Sequence, residues 1–146
     1  MKKAYFYGCV VGLTAVVMGC GGQKELPIKK TYPVQGKVLI KGEPVAFATV
    51  SFEPKEGGSP ATAYTDKDGV FSGVRTYSNN EMDGMVPGEY EVKLEAYNPV
   101  TSVKFLGQRP GEGEKPTQIP AEYSDKAVQT VTIDANDNNQ ITIDIQ

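Results

Sequence analysis

Histidine is absent from this 146-residue chain, which leaves eighteen carboxylates, fifteen cations and two cysteines to do chemistry. Without an imidazole, Ser-His-Asp and Cys-His catalysis and histidine-ligated zinc are excluded. Two carboxylate pairs are candidates for acid–base work or for a hard cation: Asp66 with Asp68, and Asp134 with Asp137. A hydrolytic pair acting on sugars needs an aromatic platform, and the chain has no tryptophan. A calcium loop gathers about six to eight oxygens and in the EF-hand ends on a bidentate Glu. Here Lys67 separates the first two acids, and no such Glu follows at loop spacing. Turn chemistry accounts for these residues unaided, because Asp bonds its own backbone and Gly69 takes positive φ. A Lys–Asn isopeptide bond is a third arrangement, and it needs a buried Lys, an Asn or Asp and an acid together. Lys37 and the Asn136–Asn139 cluster suit it only by element order, and both read as exposed. No catalytic residue, metal or cofactor is expected.

The thiols lead elsewhere. Lys2 and Lys3 precede an apolar run, Ala4 to Met18, that carries no charge. A bilayer-spanning helix needs about 20 apolar residues, so this run has the length of a secretory signal. It ends Val17-Met18-Gly19-Cys20, which resembles the lipobox of bacterial lipoproteins, with Met18 slightly larger than the commonest residue there. The resemblance implies that residues 1–19 are a cleaved signal. It also implies that the Cys20 sulfur takes a diacylglyceryl group, with acyl chains such as palmitate anchoring the protein to a membrane. Cys9 lies inside the signal, so the remaining chain has no internal disulfide and must be held by an apolar core. Losing Lys2 and Lys3 takes the formal charge from −3 to −5. No basic face stands out, and nucleic acid is not an expected partner. By the same resemblance, Gly21 lacks the aspartate that retains such proteins in the inner membrane. An extracytoplasmic, lipid-anchored place in the cell envelope, at the outer membrane, is expected.

Residues 20–32 have no apolar period and read as a flexible tether, of which Gly21 to Thr31 reaches roughly 35 Å when extended. Residues 33–146 read as one domain built of strands. Val34, Gly36, Val38 and Ile40 share one face, and Lys41-Gly42-Glu43-Pro44 turns the chain into a hairpin partner that includes Ala46, Ala48, Val50 and Phe52. Thr62 to Thr65 and Val70 to Gly73 flank the Asp66–Gly69 turn, and Arg75 to Met85 reads as a polar loop. Glu89 to Tyr97 is the clearest strand, with Tyr90, Val92, Leu94 and Ala96 on one face. Residues 127–134 and 140–145 read as a last hairpin. Pro87-Gly88 suits a type II turn. Tyr90, by analogy with a tyrosine corner, should bury its ring and turn its hydroxyl to nearby backbone. These seven short strands, with no long helical period, predict an all-β sandwich.

The order Val34-Gln35-Gly36-Lys37-Val38, then Lys41-Gly42-Glu43-Pro44-Val45-Ala46-Phe47, then Thr65-Asp66-Lys67-Asp68-Gly69-Val70-Phe71, resembles the carboxypeptidase-regulatory-like, transthyretin-like family. Val86-Pro87-Gly88-Glu89-Tyr90 and Ile119-Pro120-Ala121-Glu122-Tyr123 continue the match, which covers about residues 33–146. It implies a seven-stranded transthyretin-like (prealbumin-like) Greek-key β-sandwich and says little about activity. One branch of that family hydrolyses a purine-derived ring with histidines and a characteristic C-terminal tetrapeptide. This chain has no histidine and closes Ile143-Asp144-Ile145-Gln146.

The long connection from Asn98 to Gln118 exceeds the usual loop length. Val103, Phe105, Leu106 and Arg109 are its candidate partner-binding residues, while Gln108 to Pro116 reads as mobile. The expected role is a non-enzymatic envelope module that binds another envelope protein or organises structure. The alternative is a glycan-binding module for peptidoglycan or surface polysaccharide, for which Tyr64, Tyr77, Tyr97 and Tyr123 are the residues to inspect.

Overall fold

The computed structural model describes residues 29–76, 82–99 and 109–146. In chain order its elements are β1 (Val34–Ile40), β2 (Glu43–Pro44), β3 (Thr49–Pro54), β4 (Ala61–Tyr64), β5 (Val70–Phe71), β6 (Arg75–Thr76), β7 (Met82–Asp83), β8 (Gly88–Glu95), a one-turn α1 (Glu122–Asp125), β9 (Gln129–Ile133) and β10 (Asn139–Ile145). They form two sheets over one core. The smaller sheet sets β10 parallel to β1, while β2 and β5 share β1's other edge. The larger sheet runs β7-β6-β4-β3-β8-β9, antiparallel throughout. The expected all-β, two-sheet architecture is present.

Period-two alternation builds the core. Tyr90, Val92 and Leu94 of β8, and Val131 and Ile133 of β9, point inward from the larger sheet. Val34 and Val38 of β1, and Ile141 and Ile143 of β10, meet them from the smaller one. Phe52 and Phe71 join the layers with ring centroids 5.9 Å apart. Gly36 lets this happen. A Cβ there would collide with the Ile141 carbonyl oxygen and lie 2.6 Å from the Phe71 ring.

Three expected hairpins fail for one physical reason: the chain changes sheets where it was expected to turn back. Lys41-Gly42 does close a hairpin, but only onto β2 (Leu39 opposite Pro44, Ile40 opposite Glu43). Residues 45–48 then cross to the other sheet, and β3 pairs β4 and β8 instead of β1. Val45 and Phe47 are therefore buried along with Ala48 and Val50. After the 66–69 turn, Phe71 bridges Thr65 once and β5 pairs β1. The expected last hairpin is a corner. β9 pairs β8 in one sheet, β10 pairs β1 in the other, and their apolar residues meet across the core. The presumed polar stretch 75–85 contains β6 and β7, with Thr76 and Met85 buried. Gly88 opens β8 directly at φ 151° in place of a type II turn, and Ala96 lies beyond the strand, exposed.

Candidate functional site: the two ends of the sandwich

The strand directions give the domain two dissimilar ends. At one, the chain enters. Tyr32 exchanges backbone hydrogen bonds with Met85 (2.8 and 2.9 Å), and the Thr31 hydroxyl donates to the Asp83 carbonyl at 2.7 Å. The Lys30 ammonium sits 4.7 Å over the Tyr32 ring. The chain is thus fixed two residues before the expected boundary at 33. The same end holds the 134–138 corner. There Asn139, buried, accepts from the Asp134 N–H at 2.9 Å and donates to the Asn136 and Asp134 carbonyls at 2.8 and 3.1 Å. Gln35, Ser72, Asp137 and Asn138 help line a shallow groove of about 220 Å³ beside it.

At the opposite end, the 45–48 crossing is locked from within. Thr65, fully buried, donates to the Val45 carbonyl at 2.7 Å and accepts from the Ala48 N–H at 2.8 Å. Phe47 is held at φ 53°, a left-handed conformation unusual for an aromatic residue, with its N–H on the Asp66 carbonyl. Asp66 shapes the adjoining turn. Its Oδ1 accepts from the Asp68 and Val70 N–H groups, both at 2.9 Å, and Gly69 takes φ 72° as expected. Both bonds belong to the turn itself, and the Asp68 carboxylate pairs with Lys67 at 3.2 Å. Among the described residues, no group of three His, Cys, Asp or Glu is placed to hold a metal ion.

The strap from Arg109 to Ala121 reaches this end as well. Its first half is a self-bonded turn, with the Gly111 N–H on the Glu114 carboxylate (2.7 Å) and the Glu114 N–H on the Gly111 carbonyl. This turn lies within the stretch Gln108 to Pro116, of which Gln108 is outside the described residues. Thr117 then clasps Ala46 reciprocally, its N–H donating to the Ala46 carbonyl and its hydroxyl accepting the Ala46 N–H, both at 2.9 Å. Ile119, Tyr123 and Val128 pack down on the core.

Of the candidate partner-binding residues, Arg109 is exposed at the start of this strap, whereas Val103, Phe105 and Leu106 lie outside the described residues. Cys20 and the signal also lie outside them. Of the tyrosines to inspect for glycan binding, Tyr64 is buried, Tyr123 is packed against the core and Tyr97 is half-buried. Tyr77 lies outside the described residues. Lys37 is exposed and stands opposite Thr142 and Val70, while Asn139 stands opposite Val34 three residues away, so the isopeptide arrangement is not assembled. Tyr90 behaves as its spacing foretold. Its ring is buried and its hydroxyl donates to the Val86 carbonyl at 2.8 Å. Burial disfavours the phenolate and raises the Tyr90 pKa above the ordinary tyrosine value.

Sequence reasoning missed Thr65 and Thr117, whose hydroxyls fix the crossing and the strap. A threonine beside an Asp-Gly turn, and another amid Pro and Gly, carry no signal that their partners lie 20 and 71 residues away. Against protein-family models, curated proteins and solved structures, the chain shows no match.

Proposed function

We propose that this chain is a lipid-anchored, non-enzymatic protein of the bacterial cell envelope, whose transthyretin-like Greek-key sandwich is an interaction module held at one end. The polarity of the sandwich carries the reading. The chain from Cys20 joins at Thr31 and Tyr32, whereas the 41–48 crossing, the 66–69 turn and the Thr117 strap form the other end. A lipid on Cys20 would leave at most eleven residues, 20–30, as free tether, roughly 35 to 40 Å when extended. The far end then faces away from the membrane and is the surface offered to another envelope protein. Two acyl chains make the attachment stable, since each buried CH₂ contributes about 0.8 kcal/mol.

The test is metabolic labelling with a palmitate analogue, membrane fractionation and photocrosslinking from positions Lys41 and Lys67, with Lys55 at the near end as control. Labelling and outer-membrane fractionation lost in Cys20→Ala, with a protein crosslink from the far end, are the expected results. Labelling or membrane retention that survives Cys20→Ala refutes the anchor. Retention on purified cell-wall polysaccharide without a protein crosslink replaces the interaction reading with a glycan-binding one.

A further inference from the structure

We infer that β1 and β10 form a mechanical clamp, which makes the domain a load-bearing element for tension that enters before β1 and leaves after β10. The two strands are immediate neighbours and parallel, in register from Val34 opposite Asn139 to Ile40 opposite Ile145. Tension entering at Val34 and leaving at Ile145 pulls them past each other along their common axis. In that geometry the inter-strand hydrogen bonds oppose the load together, over roughly 23 Å of strand. Tension applied across one end of the same pair opens the bonds one after another instead.

Three further features make β1 hard to draw out. Its other edge is held by β2 and β5, with the Val38 N–H on the Gly69 carbonyl (2.9 Å) and the Val45 N–H on the Val38 carbonyl (3.0 Å). At its far end the Lys41 N–H donates to the Ile145 carbonyl at 2.7 Å, which extends the ladder past the last registered pair. Before β1, the two Tyr32–Met85 bonds and the Thr31–Asp83 bond stitch the entering chain to the β7–β8 crossing, so the load meets the larger sheet first. Gly36 sets the fit at the centre, where only hydrogen at Cα lets β10 and the Phe71 ring close on β1. The clamp follows from topology; that tension enters at β1 from a membrane anchor rests on the function proposed above.

Single-molecule force spectroscopy on the full chain separates these points, because forced unfolding reads the barrier along the pulling direction. With handles at the N- and C-termini, the unfolding force is expected to shift above that of a Cys9→Ser, Cys20→Ser, Glu43→Cys chain pulled between position 43 and the C-terminus, at every pulling speed. The second geometry peels β10 from β1, starting at Ile145. Ile145→Pro removes an N–H that faces β1 and should lower the end-to-end force. Asp144→Pro removes an N–H on the outward side of β10 and should leave it unchanged. An end-to-end force no higher than the peeling force overturns the clamp, as does a force insensitive to Ile145→Pro in a folded variant. Loss of palmitate labelling bears on the anchor alone, so the two readings fail separately.

Discussion

Tyr90→Phe isolates one buried hydrogen bond and one titrating group at the same position. The ring keeps its place in the core, so the packing contribution is unchanged and only the hydroxyl and its 2.8 Å bond to the Val86 carbonyl are lost. Such a bond contributes about 1 kcal/mol net. Val86 is half-buried, and water reaching its freed carbonyl would hold the loss near the lower part of that range. For a domain of this size the change corresponds to a melting temperature lower by roughly 2 to 6 °C. The pH dependence gives a second, independent reading. Burial raises the Tyr90 pKa in the folded state, whereas the unfolded chain titrates near the ordinary value of about 10. The folded state therefore keeps its proton where the unfolded state releases it. The associated stability is fully present below pH of about 10 and is lost as pH rises through the folded pKa. Wild type should then lose its advantage over Tyr90→Phe in alkali, and the two stability curves should converge above that pH. Urea titrations followed by fluorescence between pH 7 and the alkaline limit of folding would measure both effects. Equal midpoints at neutral pH, or a gap that stays constant into alkali, would refute the assignment.

Gly36→Ala should be the most damaging small substitution, because its Cβ meets backbone at Ile141 as well as the Phe71 ring. A loss of about 3 kcal/mol or more in chemical denaturation is expected, not rescued by Phe71→Ala, since only the ring would yield. Thr65→Val leaves the Val45 carbonyl and the Ala48 N–H buried without partners, a cost of roughly 2 to 4 kcal/mol. Thr65→Ser should recover most of that cost in the same assay, and an equally destabilised Ser variant would argue against the hydroxyl. Thr117→Val should release the strap without unfolding the sandwich. Hydrogen exchange should quicken over residues 109–121 and at Ala46, while β3 and β8 stay protected.

What the sequence made legible was strand content and facing. The alternation Tyr90, Val92, Leu94 is set by the pleat alone, and burial follows it residue by residue. Asp66 and Tyr90 were legible too, because their partners lie two to four residues away and their geometry is local. Partnering was not legible. A Gly-containing turn between two apolar runs looks the same whether the second run returns beside the first or passes to the opposite sheet. At 41–48 it does the first for two residues and then the second.

The crossings were hidden because the groups that enforce them are far apart in sequence. Phe47 sits at φ 53° only because three distant contacts agree: Thr65 fixes the backbone on either side of Ala46 and Phe47, Thr117 clasps Ala46, and the Asp66 carbonyl receives the Phe47 N–H. An isolated strand pattern through Val45, Ala46 and Phe47 gives no hint of a left-handed residue, since local preference opposes it. The same holds at 134–138, where Asn139 ties the corner by three bonds and reaches the Pro33 carbonyl by a fourth, none of which a turn-rich run of Asn and Asp specifies. These two sheet changes are what separate β1 from β3 and bring β10, the last strand, back beside β1. Local chemistry therefore builds the strands, while buried threonine and asparagine side chains decide which strands become neighbours. The parallel β1–β10 pair, and with it any resistance to tension along the chain, is a property of those few polar anchors as much as of the apolar core.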